Sequence, residues 1–137
     1  VHSLSGQLLL IDDSYNANID SVTAALVALK QLAEGRRKVF VAGKMLELGN
    51  TSEQVHTRTA ELAHEAGVSD ILAIGEAARP LARRARELGI ATTYVDDADQ
   101  ALAMIDQIVT DFDAVLVKGS HSSGAWRIAD YLKEVRA

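Results

Sequence analysis

The stretch that decides the fold is Lys38-Val39-Phe40-Val41-Ala42, in which four apolar residues follow a lysine and lead to Gly43. An apolar run without polar alternation is typical of a strand that is covered on both faces of a parallel sheet. The same pattern recurs four times, at Gln7–Ile11, Asp70–Ile74, Thr92–Val95 and Ala114–Val117. A shorter segment, Val1–Leu4, precedes a Ser5-Gly6 turn signal, and we expect it to pair antiparallel with the first of these strands.

Longer segments with helical spacing lie between these runs. Apolar residues recur every three or four positions at 22–32, 101–109 and 128–135, as on the buried side of a helix. Strands that are joined by single helices imply right-handed crossovers. The sequence, which shows no linker or repeat, therefore predicts one domain over residues 1–137. We expect a three-layer, Rossmann-like, doubly wound α/β fold with a mostly parallel sheet of about six strands, one of them antiparallel.

The composition excludes several classes of protein. The chain has 137 residues, of which 48% are hydrophobic and 24% charged, as in globular domains. Its net charge of −5 makes electrostatic capture of nucleic acid or an anionic membrane unfavourable. Cysteine is absent, which removes disulfides, thiol nucleophiles and cysteine zinc sites. The N-terminal stretch lacks the pattern of a signal peptide, so we expect a cytoplasmic protein, and its start without Met suggests a piece of a longer chain.

Ligands of doubly wound sheets bind beyond the carboxyl ends of the strands, and the loop after the first strand is rich in polar groups. Its carboxylates can accept hydrogen bonds from ribose, and its carboxamides can bind an amide or a purine edge. These groups belong to Asp12, Asp13, Tyr15, Asn16 and Asn18. The alternative is that Asn18 only caps the next helix and that Asp20 complements its dipole. Capping alone does not explain the other four.

The loop that follows Ala42 contains three apolar residues between two glycines, Gly43 and Gly49. It is not a phosphate loop, because Lys38 stands where a glycine is required and Met45 where Ser or Thr would hold magnesium. The apolar residues suggest a lid or a contact with another domain. The alternative is that Met45 and Leu48 simply cover an edge of the sheet.

A third loop, Lys118–Gly124, combines a lysine at a strand end with glycine and hydroxyl groups before a helix. This combination is typical of an anion site, although the serines could instead cap the helix. Gly119 lets the backbone approach a ligand without a Cβ in the way. The four histidines lack the spacing of metal ligands. We expect His56 and His64 to be surface or half-buried residues, and we find no partner for His121.

These three loops, in this order, resemble the C-terminal domain of the Mur ligases. The resemblance rests on Asp12-Asp13-Ser14-Tyr15-Asn16-Ala17-Asn18, on Gly43-x-Met45-Leu46-Glu47-Leu48-Gly49 and on Val115-Leu116-Val117-Lys118-Gly119-Ser120. It covers essentially the whole chain. Three positions depart from the family's pattern, which usually has Pro at Ile19, Asp at Lys44 and Arg at His121.

The resemblance implies a three-domain cytoplasmic enzyme of peptidoglycan precursor synthesis. ATP would phosphorylate the carboxylate of UDP-N-acetylmuramoyl-tripeptide, and the amine of D-alanyl-D-alanine would then attack the acyl phosphate. The central domain would carry the phosphate loop and most ligands of Mg²⁺, so this chain alone should not catalyse. Its partners would be the two substrates and the N-terminal and central domains, with no nucleic acid and no membrane.

The resemblance also assigns roles to residues. Asp13 would contact the ribose of ATP, and Tyr15 and Asn16 would line the nucleotide side. The residues implied to bind substrate are Asn18, Met45, Glu47, Lys118, Gly119 and Ser120. From its chemistry, the Lys118–Gly124 loop could hold either the carboxylate of the dipeptide or the transferring phosphate, and we favour the dipeptide.

Two alternatives come from other classes of protein. A phosphoacceptor receiver domain is also doubly wound, with paired acids after its first strand and a lysine after its last, here Asp12, Asp13 and Lys118. It requires an acceptor aspartate after its third strand, where this chain has Ile74-Gly75. A nucleotide-sugar binding module without chemistry is the second alternative, and it predicts that no ligase domains precede Val1.

Overall fold

The computed structural model describes residues 1–14, 18–45 and 49–137. Within these ranges the strands are β1 (His2–Leu4), β2 (Leu8–Asp13), β3 (Lys38–Gly43), β4 (Asp70–Ile74), β5 (Ala91–Val95) and β6 (Ala114–Lys118). The α-helices are α1 (Ile19–Leu32), α2 (Ser52–Glu65), α3 (Arg79–Glu87), α4 (Ala98–Ile108) and α5 (Ala125–Val135). Short 3-10 turns lie at Ser5–Gln7, Gly49–Thr51, Glu76–Ala78 and His121–Ser123.

The six strands form one sheet in the order β1-β2-β6-β3-β4-β5. β1 pairs antiparallel with β2, and the other four pairs are parallel. The predicted mixed sheet is therefore confirmed, including its antiparallel first strand. β6 lies between β2 and β3, so that Leu116 pairs with Ile11 on one side and with Phe40 on the other.

The helices cover both faces of the sheet and produce two apolar cores. One core joins the sheet to α1, α2 and α3 and contains Leu26, Phe40 and Leu81. The other joins the sheet to α4 and α5 and contains Ile105 and Ile128. The three-layer architecture is therefore also confirmed. Because both of their faces are buried, β3, β4 and β6 read as nearly continuous apolar runs in the sequence, whereas the edge strands β1 and β5 are more exposed and contain polar residues.

Two strands differ from their predicted limits in a way that shapes the site. β2 begins at Leu8 because Gln7 ends a 3-10 turn with a φ of 58°. At their other ends, β2 and β6 continue to Asp13 and Lys118, which we had placed in loops. These two residues form the last pair of the β2–β6 ladder.

Candidate functional site

The carboxyl edge of the sheet holds an ion pair between Asp13 and Lys118. Since the two residues are in register on neighbouring parallel strands, their side chains share a face of the sheet. The Lys118 Nζ donates to Asp13 Oδ2 at 2.8 Å. The lysine side chain is only 2% exposed, whereas the aspartate is 45% exposed. The pair therefore presents a carboxylate to solvent and keeps the cation beneath it.

Asp12 points to the opposite face, because side chains alternate along a strand. Its carboxylate accepts hydrogen bonds from Lys133 of α5 and, at 2.6 Å, from Ser14 Oγ. Burial acts to raise the pKa of Asp12, but the bonds from Lys133 and Ser14 outweigh it and hold that pKa below its ordinary value. Asp12 therefore fastens α5 to the sheet, and the exposed carboxylate at this edge is that of Asp13.

Asn18 caps α1. Its Oδ1 accepts from the Ser21 N–H at 2.9 Å, and the Ser21 Oγ accepts from the Asn18 N–H at 3.1 Å. These two bonds form a reciprocal capping box, and Asp20 lies in the first turn as the helix dipole favours. The capping interpretation of this residue is confirmed. A substrate contact by Asn18 stays a prediction.

The loops that follow β3 and β6 are packed tightly together through glycine. A Cβ added at Gly119 would lie 2.7 Å from Ser123 Oγ and 3.0 Å from Gly43 Cα. A Cβ at Gly43 would meet the same Ser123 Oγ at 2.3 Å. Gly119 is thus required for packing within the domain, which the sequence did not indicate. Its approach to a ligand stays a prediction.

Ser120 is buried and takes part in this packing. Its N–H donates to the Lys44 carbonyl at 2.9 Å, and its own carbonyl accepts from Ser123 Oγ at 2.6 Å. Ser123 Oγ also accepts from the Ala125 N–H at 3.2 Å, so one serine of the loop does bind the start of α5, as the alternative required.

The expectations for His121 and His56 were wrong. The ring of His121 stacks on that of Trp126, with centroids 5.3 Å apart and planes inclined by 6°. His56, which we expected at the surface or half-buried, is fully buried on the core-facing side of α2. A signal was available in the sequence, since His56 stands four and seven residues before the buried Ala60 and Ala63.

His56 bonds at both ring nitrogens. Nδ1 lies 2.7 Å from the Ser52 carbonyl, and Nε2 accepts from the Met45 N–H at 3.2 Å. Burial lowers the pKa of His56, and the bond to Ser52 opposes that shift only in part. The Met45 side chain is buried in the core beside α1, α2 and α3. The burial of Met45 favours the alternative in which it and Leu48 cover an edge of the sheet, but Leu48 lies outside the described residues, so that alternative stays a prediction.

Beside these loops lies an open cavity of about 460 Å³ at the carboxyl ends of β4, β5 and β6. Its wall carries charges of both signs: Lys44, Glu76, Asp96, Asp97 and Arg127. The cavity adjoins the loop that contains Ser122 and Ser123. Polar ligands of mixed charge are therefore the class that it could accept.

Three predicted site residues, Tyr15, Asn16 and Glu47, lie outside the described residues. Among the residues that are described, no group of three or more acidic or histidine side chains is arranged to hold a metal ion. No helix in the same part of the chain is long and apolar enough to cross a membrane.

Residues 1–121 match the family model described as "Mur ligase, glutamate ligase domain". The chain belongs to this family. The strand order also argues against a receiver domain, which has a flavodoxin-like fold. If the five parallel strands β2 to β6 are numbered 1 to 5 along the chain, their order in the sheet is 1-5-2-3-4, whereas flavodoxin-like domains have the order 2-1-3-4-5. The receiver alternative was therefore wrong.

Two relatives of this Mur ligase domain are named UDP-N-acetylmuramoyl-tripeptide–D-alanyl-D-alanine ligase. The protein from Escherichia coli K12 is 33% identical over 136 residues, which are 96% of this chain and 28% of the relative. That from Mycobacterium leprae is 36% identical over 140 residues, 90% of this chain and 27% of the relative. A crystal structure of MurF from Acinetobacter baumannii superposes with a TM-score of 0.81 at 28% identity, covering 95% of this chain and 29% of that one. The chain thus spans little more than a quarter of the relatives' length.

Proposed function

We propose that this chain is the C-terminal domain of an ATP-dependent ligase that joins D-alanyl-D-alanine to UDP-N-acetylmuramoyl-tripeptide in the cytoplasm. One observation carries the proposal: 96% of the chain aligns with a relative of that name. The whole enzyme would have N-terminal and central domains as well, and residues 1–137 would form its third domain.

In this proposal the domain supplies one wall of the active site, closing over ATP and presenting the dipeptide. The half-exposed carboxylate of Asp13 suits a nucleotide, because carboxylates accept hydrogen bonds from ribose hydroxyls. ATP supplies the phosphoryl group that activates the tripeptide carboxylate. We place Mg²⁺ mainly on the central domain, as the family resemblance implies, and expect no catalysis by the 137-residue chain alone.

The ion pair, with its buried lysine and half-exposed aspartate, refines the roles of Asp13 and Lys118. Since the Lys118 side chain is almost fully buried and already bonds to Asp13, its first task is to hold that carboxylate in place. A ligand would meet Asp13 first and would reach Lys118 only if the two side chains moved apart. In this proposal the nucleotide and dipeptide sites, which we predicted separately, would be coupled through this pair.

The experiment that tests the activity uses the full-length protein that carries this domain. Phosphate release is measured with ATP, UDP-N-acetylmuramoyl-tripeptide and D-alanyl-D-alanine, and then with single amino acids in place of the dipeptide. We expect turnover to require the dipeptide. Turnover with a single amino acid and none with the dipeptide would contradict the proposal.

Variants of the same enzyme test the site. Asp13→Ala should raise the KM for ATP, and Lys118→Ala should lose about 1.5–3 kcal/mol of transition-state stabilisation, the range for a charged hydrogen bond. A loss in the dipeptide KM would indicate that the Lys118 loop holds substrate, and a loss in kcat that it serves the phosphate. Because the two side chains are paired, the double variant should cost less than the sum of the single ones. Wild-type constants for both single variants would remove the pair from the site.

A further inference from the structure

The backbone of the β3 loop contains one peptide group that is held from both sides. This group joins Lys44 to Met45. Its carbonyl accepts from the Ser120 N–H at 2.9 Å, and its N–H donates to His56 Nε2 at 3.2 Å. One rigid peptide plane therefore connects a side chain of α2 to the loop that follows β6.

The two hydrogen bonds of His56 require a single protonation state. The Ser52 carbonyl can only accept, so Nδ1, at 2.7 Å from it, must carry the proton. The Ser52 hydroxyl oxygen, 3.3 Å from Nδ1, can accept from the same N–H and is compatible with this assignment. Nε2 must then be unprotonated, because it accepts from the Met45 N–H. If Nε2 carried a proton, its N–H and the Met45 N–H would be two donors facing each other. Both are buried, so neither could form a hydrogen bond with water instead.

Other side chains would fill the space but would not make the same bond. A phenylalanine has the shape of the ring and no acceptor, and it would leave a buried N–H without a partner. Glutamine can place an amide oxygen near the position of Nε2 and accept from the same N–H. The site therefore needs an acceptor at this point rather than an aromatic ring.

We infer that His56 is a positioning residue that holds the segment Lys118–Ser120, at the end of β6, in place through the Lys44–Met45 peptide. Ser120 lies two residues from Lys118, and its own N–H is one of the two bonds on that peptide. The effect on substrate rests on the proposed function, in which this loop binds the dipeptide. The structural coupling does not.

Amide hydrogen exchange on the 137-residue chain tests the coupling. In His56→Phe, the amides of Met45 and Ser120 should exchange roughly five- to tenfold faster, the effect of losing one neutral hydrogen bond. The Leu9 amide, which bonds to the Asp113 carbonyl at the opposite edge of the sheet, should exchange at the wild-type rate. His56→Gln should restore slow exchange at Met45 and Ser120. His64→Phe, on the exposed side of the same helix, is the matched control.

Three results would overturn the inference. Faster exchange at Met45 with unchanged exchange at Ser120 would show that His56 anchors only its own neighbour. An equal rise at Leu9 would indicate general destabilisation. Nitrogen NMR can show which nitrogen of the His56 ring carries the proton. A proton on Nε2 rather than on Nδ1 would contradict the hydrogen-bond assignment.

A second measurement, on the full-length ligase, separates this inference from the proposed function. His56→Phe should raise the KM for D-alanyl-D-alanine severalfold more than the KM for ATP, and His56→Gln should recover most of the difference. If the two amides respond but the dipeptide KM does not, His56 positions the loop as inferred, and the substrate role of that loop is wrong.

Discussion

Removing the Asp13 carboxylate should destabilise the domain more than the exposure of that carboxylate suggests. The reason is its partner, since the Lys118 side chain is 2% exposed and loses its carboxylate partner in the interior when Asp13 is removed. Breaking a fully buried ion pair costs about 3–5 kcal/mol, and breaking an exposed one costs about 0–1 kcal/mol. Because one partner of this pair is buried and the other is half-exposed, its cost should lie between these two ranges. We therefore expect Asp13→Ala to lower the free energy of unfolding by about 2 kcal/mol.

The chain offers a matched control in the pair between Asp99 and Arg127. Its N–O distance is 2.7 Å, close to that of Asp13 and Lys118, but its side chains are 79% and 39% exposed. Asp99→Ala should therefore cost about 0.5 kcal/mol, and that cost should shrink in high salt. The larger cost of Asp13→Ala should persist in salt, because its cation is shielded from the solvent.

Urea unfolding of the 137-residue chain at neutral pH measures both variants. Lys118→Met supplies a second check, since an apolar side chain of similar length often replaces a buried ion with little loss. In that background Asp13→Ala should cost less than about 0.5 kcal/mol, because no buried charge remains. If Asp13→Ala costs no more than Asp99→Ala in the wild-type background, the argument from burial is wrong.

Two further predictions concern Asp12 and Gly119. Since the folded-state pKa of Asp12 lies below its ordinary value of 3.8, its pair with Lys133 should add stability that is complete above that pH and is lost as the pH falls through the folded pKa. Urea unfolding from neutral into acid pH should therefore show a gap between wild type and Lys133→Met that closes in acid, and a constant gap would contradict this. Gly119→Ala should cost about 1–3 kcal/mol through overpacking against Ser123. Ser123→Ala should relieve part of that cost, and full additivity of the two changes in thermal unfolding would refute the clash.

The inner strands could be predicted well because each is a short apolar run. Asp70–Ile74 has the same limits in the sequence analysis and in the structure. β2 was placed one residue early, since the 3-10 turn at Ser5–Gln7 depends on a positive φ at a glutamine, which favours no such conformation. The position of β6 between β2 and β3 had no local signal, because strand order is decided by how helices pack on distant strands.

The site could be predicted as residue types but not as contacts. Asp13 and Lys118 were both selected, yet their pairing depends on the register of β2 with β6, which periodicity does not give. Gly119 was assigned to ligand approach because glycine patterns do not show which atoms surround the missing Cβ. His56 was expected at the surface or half-buried because a polar residue on a helix is usually exposed. Its acceptor role depends on a backbone N–H of another loop.

The central position of β6 in the sheet affects how the domain can fold during its synthesis on the ribosome. Asp13 and Lys118 are hydrogen-bonded neighbours although 105 residues separate them in the chain. Until residues 114–118 have left the ribosomal exit tunnel, β2 and β3 lack the strand that lies between them in the folded domain. Each then has an edge with unpaired backbone N–H and C=O groups, which can pair with another chain. Closing such distant contacts is slow. We therefore expect the domain to assemble late and all at once during synthesis, and a nascent chain that stalls before β6 to be a preferred client of chaperones.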